Sequence, residues 1–278
     1  MTAQPGKFNI LKVNRAVDFG LFLDGGEMGE ILMPQKYVPL GTKPGDSVRV
    51  FVYFDSEDRP VATTEKPQVQ VGQCAYLKCK NVSKHGAFMD WGLTKDLFVP
   101  FREQVTEMKE GKSYVVFVFI DKVSGRIVGS SKLQKHLSQS APEAEDFYPV
   151  ELLIADKSPL GYTAIFMGKY AGMLYENEVF QPLKIGDKIR GYIKKIRPDG
   201  KTDLCLQLPG MEWVDDMGQK IMDMLQKNGG YIGVTDKSSP EEIYERFGMS
   251  KKVWKKAVGG LYKARKIELS ENGIKLIR

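Results

Sequence analysis

One five-residue pattern recurs in this chain at a fixed distance from a second glycine. The first copy reads Gly20-Leu21-Phe22-Leu23-Asp24, and Gly45-Asp46 begins 25 residues after its first glycine. The second copy reads Gly86-Ala87-Phe88-Met89-Asp90, with Gly111-Lys112 at the same 25-residue offset. The third is degenerate, Gly161-Tyr162-Thr163-Ala164-Ile165, yet Gly186-Asp187 keeps the offset of 25. Identical internal spacing in three copies means that one small β unit was built three times. That restricts the fold before any single residue is considered.

Within each copy the alternation of apolar residues and the turn residues between runs predict five strands. In the second copy they are Gln73–Asn81, Ala87–Trp91, Leu97–Pro100, Ser113–Ile120 and Arg126–Ser130, with a long loop between the third and fourth. The first copy gives Asn9–Val13, Leu21–Leu23, Ile31–Met33, Ser47–Phe54 and Val61–Thr63. The third gives Val150–Ile154, Thr163–Phe166, Gly172–Tyr175, Lys188–Ile196 and Leu204–Gln207. Five short strands with this connection suit a small closed Greek-key barrel, the OB-fold. After Leu208-Pro209-Gly210 the period changes from two to 3.6. Met217, Ile221, Met224 and Leu225 mark one face of a helix ending at Asn228-Gly229-Gly230. Ser239-Pro240-Glu241-Glu242 is a capping box with proline at the first helical position. Ser250 caps a third helix, and Lys266–Leu269 and Ile274–Ile277 flank a turn as a hairpin. Three helices and a hairpin make a winged helix-turn-helix. The expected fold is therefore mostly β and multidomain: barrels at 1–66, 67–140 and 141–210, then an α+β winged helix at 211–278.

Charge is unevenly shared along those segments. Residues 1–66 hold 8 basic and 9 acidic side chains, and residues 67–140 hold 11 and 6. Residues 141–210 hold 9 and 10, and residues 211–278 hold 13 and 10, which together give the net charge of +6. The basic second and fourth segments point to a polyanionic partner, against the plainer reading of a lysine surplus that keeps the chain in solution. On the predicted third helix, Trp254, Ala257, Val258, Leu261 and Ala264 share one side. Lys252, Lys255, Lys256 and Lys263 share the other, with no acid between Ser250 and Lys266. Gly259 and Gly260 are poor residues for a helix interior and mark either a close approach or an early helix end.

Catalysis finds little support. A hydrolytic nuclease needs clustered carboxylates around metal, or a histidine pair. Asp24 and Asp90 are single residues of separate repeats, and Asp55-Ser56-Glu57-Asp58 reads as a hairpin tip. No phosphate-cradling glycine-rich loop with lysine and Ser/Thr occurs. The three cysteines, Cys74, Cys79 and Cys205, lack zinc-knuckle spacing and read as small strand residues. No cofactor or metal is expected, and the reading is of a non-enzyme. No apolar run approaches the roughly 18 residues of a membrane span, and the N-terminus has no signal-like segment, so a cytoplasmic protein is expected.

The pattern Gly-x-Phe-x-Asp, then Gly-Asp before a long strand, then an Asp–Arg pair near the last hairpin resembles the ribosomal-protein S-one type of RNA-binding OB-fold, over residues 7–207. The resemblance implies a face of aromatic and basic residues on which single-stranded RNA stacks. By position that face takes Phe19, Phe22 and Arg59 in the first repeat. In the second it takes His85 with Lys84 beside it, Phe88 and Arg126. In the third it takes Tyr162 and Lys201, while Leu160 and Thr163 hold the paired aromatic places. The family usually carries a histidine 14 residues after the motif glycine, and here those positions hold Pro34, Pro100 and Tyr175. The third repeat keeps an aromatic there and loses the motif phenylalanine, so it is expected to bind weakly or act as a spacer. Phe22 and Phe88 could also pack inside their barrels, but the motif context favours surface stacking.

Three such barrels followed by a winged helix are similar to the conserved virulence factor B family of bacterial RNA-binding regulators. Trp254-Lys-Lys-Ala-Val-Gly-Gly-Leu-Tyr-Lys and Thr235-Asp-Lys-Ser-Ser-Pro match its winged-helix signature. The similarity implies post-transcriptional regulation through single-stranded RNA, and the one-sign face of the third helix adds Lys252, Lys255, Lys256 and Lys263 as expected phosphate contacts. A DNA-binding or protein-docking scaffold acting through the winged helix, on duplex nucleic acid or on ribosome or transcription machinery, is the competing reading.

Overall fold

The structure, a computed structural model, describes residues 2–138, 144–179, 181–206 and 211–277. The chain divides into two compact units, Met1–Gln139 with Ile165–Ala171, and Ser140–Ala164 with Gly172–Arg278.

Three closed five-stranded barrels are present. The first comprises β1 (Phe8–Val17), β2 (Gly20–Asp24), β3 (Glu30–Pro34), β4 (Ser47–Phe54) and β5 (Pro60–Thr63), in the order β1-β2-β3-β5-β4. The second comprises β6 (Cys74–Ser83), β7 (Gly86–Asp90), β8 (Leu97–Pro100), β9 (Ser113–Ile120) and β10 (Ile127–Ser130). The third comprises β11 (Tyr148–Ser158), β12 (Gly161–Phe166), β13 (Tyr170–Tyr175), β14 (Lys188–Ile196) and β15 (Thr202–Cys205). Neighbours run antiparallel except where the fifth strand closes the barrel against the third, as in Leu32 paired with Val61 and Val128 with Phe98. The expected strands are all present, with shifted ends. The first strand is longer than alternation indicated, because β1 and β6 each carry a bulge, between Val13 and Arg15 and between Cys79 and Asn81. A bulge breaks the period of two that the alternation reading relies on. Gln207, expected in the last strand of the third barrel, lies outside the described residues.

The repeated spacing now has a physical cause at each end. Gly20, Gly86 and Gly161 open the second strand of their barrels at φ of +152°, +153° and +139°. A Cβ there would lie 2.1 Å from the Met33 carbonyl oxygen, 2.3 Å from that of Val99 and 2.0 Å from that of Leu174. The neighbouring strand runs where a side chain would be. Glycines 25 residues on have a different reason. Gly45 and Gly111 have open space around them but sit at φ of +97° and +77°. The turn lets Gly45, Gly111 and Gly186 donate to the carbonyls of Val13, Cys79 and Ile154 at 2.8–2.9 Å. Those same three residues donate back to Asp46, Lys112 and Asp187 at 2.8–2.9 Å. The first glycine permits strand approach; the second ties the fourth strand to the first.

Strand β4 is buried on both sides, which explains its unbroken run Val50-Phe51-Val52-Tyr53. Val48, Val50 and Val52 fill the first barrel. Phe51 and Tyr53 point the other way and join the core of the second barrel, with Phe51 edge-on to Trp91 at 5.8 Å between ring centres. The first two barrels thus share a core.

The C-terminal region holds α1 (Met211–Lys227), β16 (Tyr231–Ile232), α2 (Pro240–Phe247), α3 (Lys251–Lys263), β17 (Ile267–Ser270) and β18 (Gly273–Leu276), the strands forming one sheet in the order β16-β18-β17. The Ser239 side chain accepts from the Glu242 N–H at 3.1 Å, and Ser250 caps α3 through the Val253 N–H. Gly248 turns the chain between them in the left-handed region. The apolar side of α3, with Val253, Trp254, Ala257, Val258 and Leu261, is buried against Ile221, Leu225 and Phe247. Ala264 departs from the expected seam: it follows the last helical residue and is exposed. Nor do Gly259 and Gly260 end the helix, which continues to Lys263. Among the described residues no helix is long and apolar enough to cross a membrane. Cys79 and Cys205 are buried, and Cys74 is half-buried.

The glycines and the α2 cap give three stability outcomes. Gly86→Ala forces its methyl against a backbone carbonyl at a disfavoured φ, and should cost about 1–3 kcal/mol in denaturant unfolding. Gly111→Ala, with open space, should cost less. Ser239→Ala removes the α2 cap and should lower stability by about 0.5–2 kcal/mol in the same measurement.

Candidate nucleic-acid interface

In each barrel the pleat sorts the motif residues. Leu21 and Leu23 of β2 are buried in the barrel, and Phe22 between them faces outward. Ala87, Phe88 and Met89 repeat this arrangement in β7. The motif phenylalanines are therefore on the barrel surface, half-buried by neighbours rather than by the core. The motif aspartates have a local duty: Asp24 and Asp90 accept from the N–H of Gly26 (2.9 Å) and Gly92 (3.1 Å), shaping the turn after the strand.

The three faces differ in what covers them. On the first barrel Phe19 is 60% exposed at the β1–β2 turn and meets Phe22 edge-on at 6.3 Å. The Arg15 guanidinium lies 4.0 Å above the Phe22 ring and is held by Glu30 at 2.7 Å. Arg59 is exposed but paired with Asp55 (2.8 Å) and Glu57 (3.0 Å). It also helps fix its own hairpin. Asp55 accepts from the N–H groups of Glu57 and Arg59 and from Arg59 Nε, at 2.9–3.0 Å. Its burial opposes ionisation, but these donors outweigh that and hold the carboxyl below its ordinary range.

The second barrel presents the fullest site. Phe88 packs against Phe98 at 5.2 Å with a 40° tilt, the two being directly opposite across β7 and β8. Lys84 and His85 are exposed on the turn before β7. Arg126 immediately precedes β10 and is paired with Asp58. Phe88, Phe98, His85 and Arg126 line a cavity of about 420 Å³, within the roughly 300–1,000 Å³ range of small-ligand sites. Lys95 lines it too, and burial holds its ammonium below the usual lysine range.

On the third barrel the expected Tyr162 platform is absent. Tyr162 occupies the place of Leu21 and Ala87, points into the barrel and is 5% exposed. The residue between two outward positions on a strand must face inward, and Thr163 takes the outward place of the phenylalanine. Tyr175 is half-buried and engaged: Arg197 donates to its hydroxyl, and the hydroxyl donates to Asp203 at 3.4 Å. Arg197 is itself paired with Asp203 at 2.7 Å. Lys201 is exposed, 3.6 Å from Asp199.

On α3, Lys252, Lys255, Lys256 and Lys263 are exposed opposite the buried seam, Lys255 lying 3.7 Å from Asp236. At 100° per residue Gly259 falls in the middle of this stripe, and nothing lies within 4 Å of where its Cβ would be. The helix backbone is thus approachable between the lysines.

Phe98, Lys95, Arg15 and Arg197 were not among the residues expected from sequence. Phe98 carries a signal: it alternates with buried Leu97 and Val99 on a strand that the sequence predicts. The others are brought in by bulges and turns that spacing does not encode. Among the described residues no three His, Cys, Asp or Glu side chains gather as a metal site.

Comparison with known proteins bears on the same regions. A family model described as S1 domain matches residues 5–65, and one described as CvfB-like winged helix domain matches residues 219–276. The chain is 26% identical over 283 residues to the protein named YitL of Bacillus subtilis, covering 97% of this chain and 92% of that one. It is 27% identical over 245 residues to Conserved virulence factor B of Staphylococcus epidermidis, covering 84% and 81%. A crystal structure of a multidomain protein with nucleic acid binding domains from Streptococcus pneumoniae aligns over 98% of both chains at 24% identity, with a TM-score of 0.43. S1 and winged helix domains suggest nucleic-acid binding rather than catalysis. The chain carries an S1 domain and a CvfB-like winged helix domain, and it is a homologue of the proteins named YitL and Conserved virulence factor B.

Proposed function

We propose that this chain binds single-stranded RNA with little sequence code and without catalysis, as a cytoplasmic post-transcriptional regulator built of four modules dividing near residues 66, 140 and 210. The observation that carries this reading is the second-barrel face. It sets the half-buried Phe88–Phe98 pair beside Arg126 and His85, in the segment with the largest basic excess. Aromatic rings stack on any base, and guanidinium and ammonium groups hold phosphate. The regulatory role rests on the resemblance to relatives named for virulence. The first barrel contributes Phe19 and Phe22. The third, with its outward aromatic replaced by Thr163 and its Arg197 occupied by Asp203, contributes least.

Phe88→Ala should weaken binding of a homopolymer RNA by about 1–3 kcal/mol in filter binding, with log affinity falling linearly against log salt in the parent. Absence of binding to every homopolymer at low salt would refute the proposal.

The α3 stripe is a second phosphate surface in this reading. Reversing Lys252, Lys255 and Lys256 to Glu should leave the melting temperature nearly unchanged, since exposed lysines contribute little and acids near a helix N-terminus are tolerated. RNA affinity and its salt slope should both fall. Parallel titration with duplex DNA separates the readings: a loss confined to duplex makes the winged helix a DNA contact. An unchanged titration with both leaves protein docking as its role.

A further inference from the structure

The face of the second barrel is not an open platform. The β4–β5 turn of the first barrel, residues 55–59, stands along its edge. The Lys95 ammonium donates to the Asp55 carbonyl at 2.5 Å. Arg126 donates through Nε to the Asp58 carboxylate at 3.0 Å and pairs with it again through a terminal nitrogen. Ser56 and Asp58 line the same cavity as Phe88 and Phe98. The turn is built to hold this place. Asp58 sits at φ +61°, its N–H donates to the Asp55 carbonyl at 3.1 Å, and Asp55 in turn is fixed by Arg59.

A carboxylate taking two donors from one guanidinium offers the chemistry of a phosphodiester group. Asp58 therefore occupies the position on Arg126 that an RNA phosphate needs, next to an aromatic-walled cavity of nucleotide-scale chemistry: apolar rings below, cations at the rim. We propose that this cleft is a two-barrel nucleotide pocket in which a phosphate of the bound strand displaces Asp58 from Arg126, so that the first barrel's turn both walls the pocket and competes for its cation. The inference rests on the reading of the second barrel as an RNA-binding face and adds the first barrel's turn to it. The pair being exposed, its exchange is inexpensive, and the competition sets affinity by a modest factor rather than closing the site.

The test is titration of the full-length protein with a short oligouridylate at low salt. Asp58→Asn keeps a residue type that tolerates the left-handed backbone and removes the competing charge. It should tighten binding by roughly two- to fivefold. Ser56→Trp, at an exposed turn position, places a ring over the pocket mouth and should weaken binding at least as much as Phe88→Ala does. Circular dichroism and melting establish that each variant is folded. If Asp58→Asn binds no tighter than the parent, or Ser56→Trp binds as the parent does, the pocket proposal is overturned while a weakened Phe88→Ala still upholds the face. If folded Phe88→Ala binds as the parent does, the face itself is misassigned and the pocket falls with it.

Discussion

In each barrel a backbone carbonyl of the third strand passes within 2.0–2.3 Å of the point that a glycine of the second strand leaves empty. Gly20, Gly86 and Gly161 let the third strand press against the second. Without that approach the outward residues of these two strands would not lie side by side. The Phe88–Phe98 contact depends directly on it, since the two rings are cross-strand partners two positions from Gly86. The glycine that carries no chemistry thus sets the geometry of the residues that do.

A second constraint makes the site more than a property of one barrel. Strand β4 spends one side chain set on its own barrel and the other on the next. With Phe51 and Tyr53 committed to the second core, the turn that follows them has little choice of position and comes to rest beside Arg126. Among the acidic turn residues, which in sequence look like an ordinary solvated hairpin tip, Asp58 meets Arg126 only through that placement.

Architecture was legible because it rests on local, periodic signals: the glycine spacing, the change of period after residue 210, and the caps at Ser239 and Ser250. What each barrel presents was less so. Tyr162 was expected as a stacking ring, but the strand alternation that places Phe22 outward puts Tyr162 inward. Arg59 meets Asp55 and Glu57 within its own hairpin, a local pairing that sequence can carry, whereas the Asp58 partner of Arg126 comes from another barrel and depends on tertiary placement. Phe98 was readable from alternation alone. The α3 lysines lie opposite the buried seam as helical spacing predicts, whereas the same spacing carries the seam on to Ala264, one residue past the end of the helix.

The shared core of the first two barrels also bears on how the chain is made. Phe51 is fully buried and packs edge-on against Trp91, which lies 40 residues downstream. As the polypeptide emerges during synthesis, the first barrel can complete its inner valine layer but leaves an aromatic flank open to water until the second barrel follows. The functional unit of biogenesis is then the pair, and the interval between the two is the period in which a chaperone or a neighbouring nascent chain would find an adhesive surface.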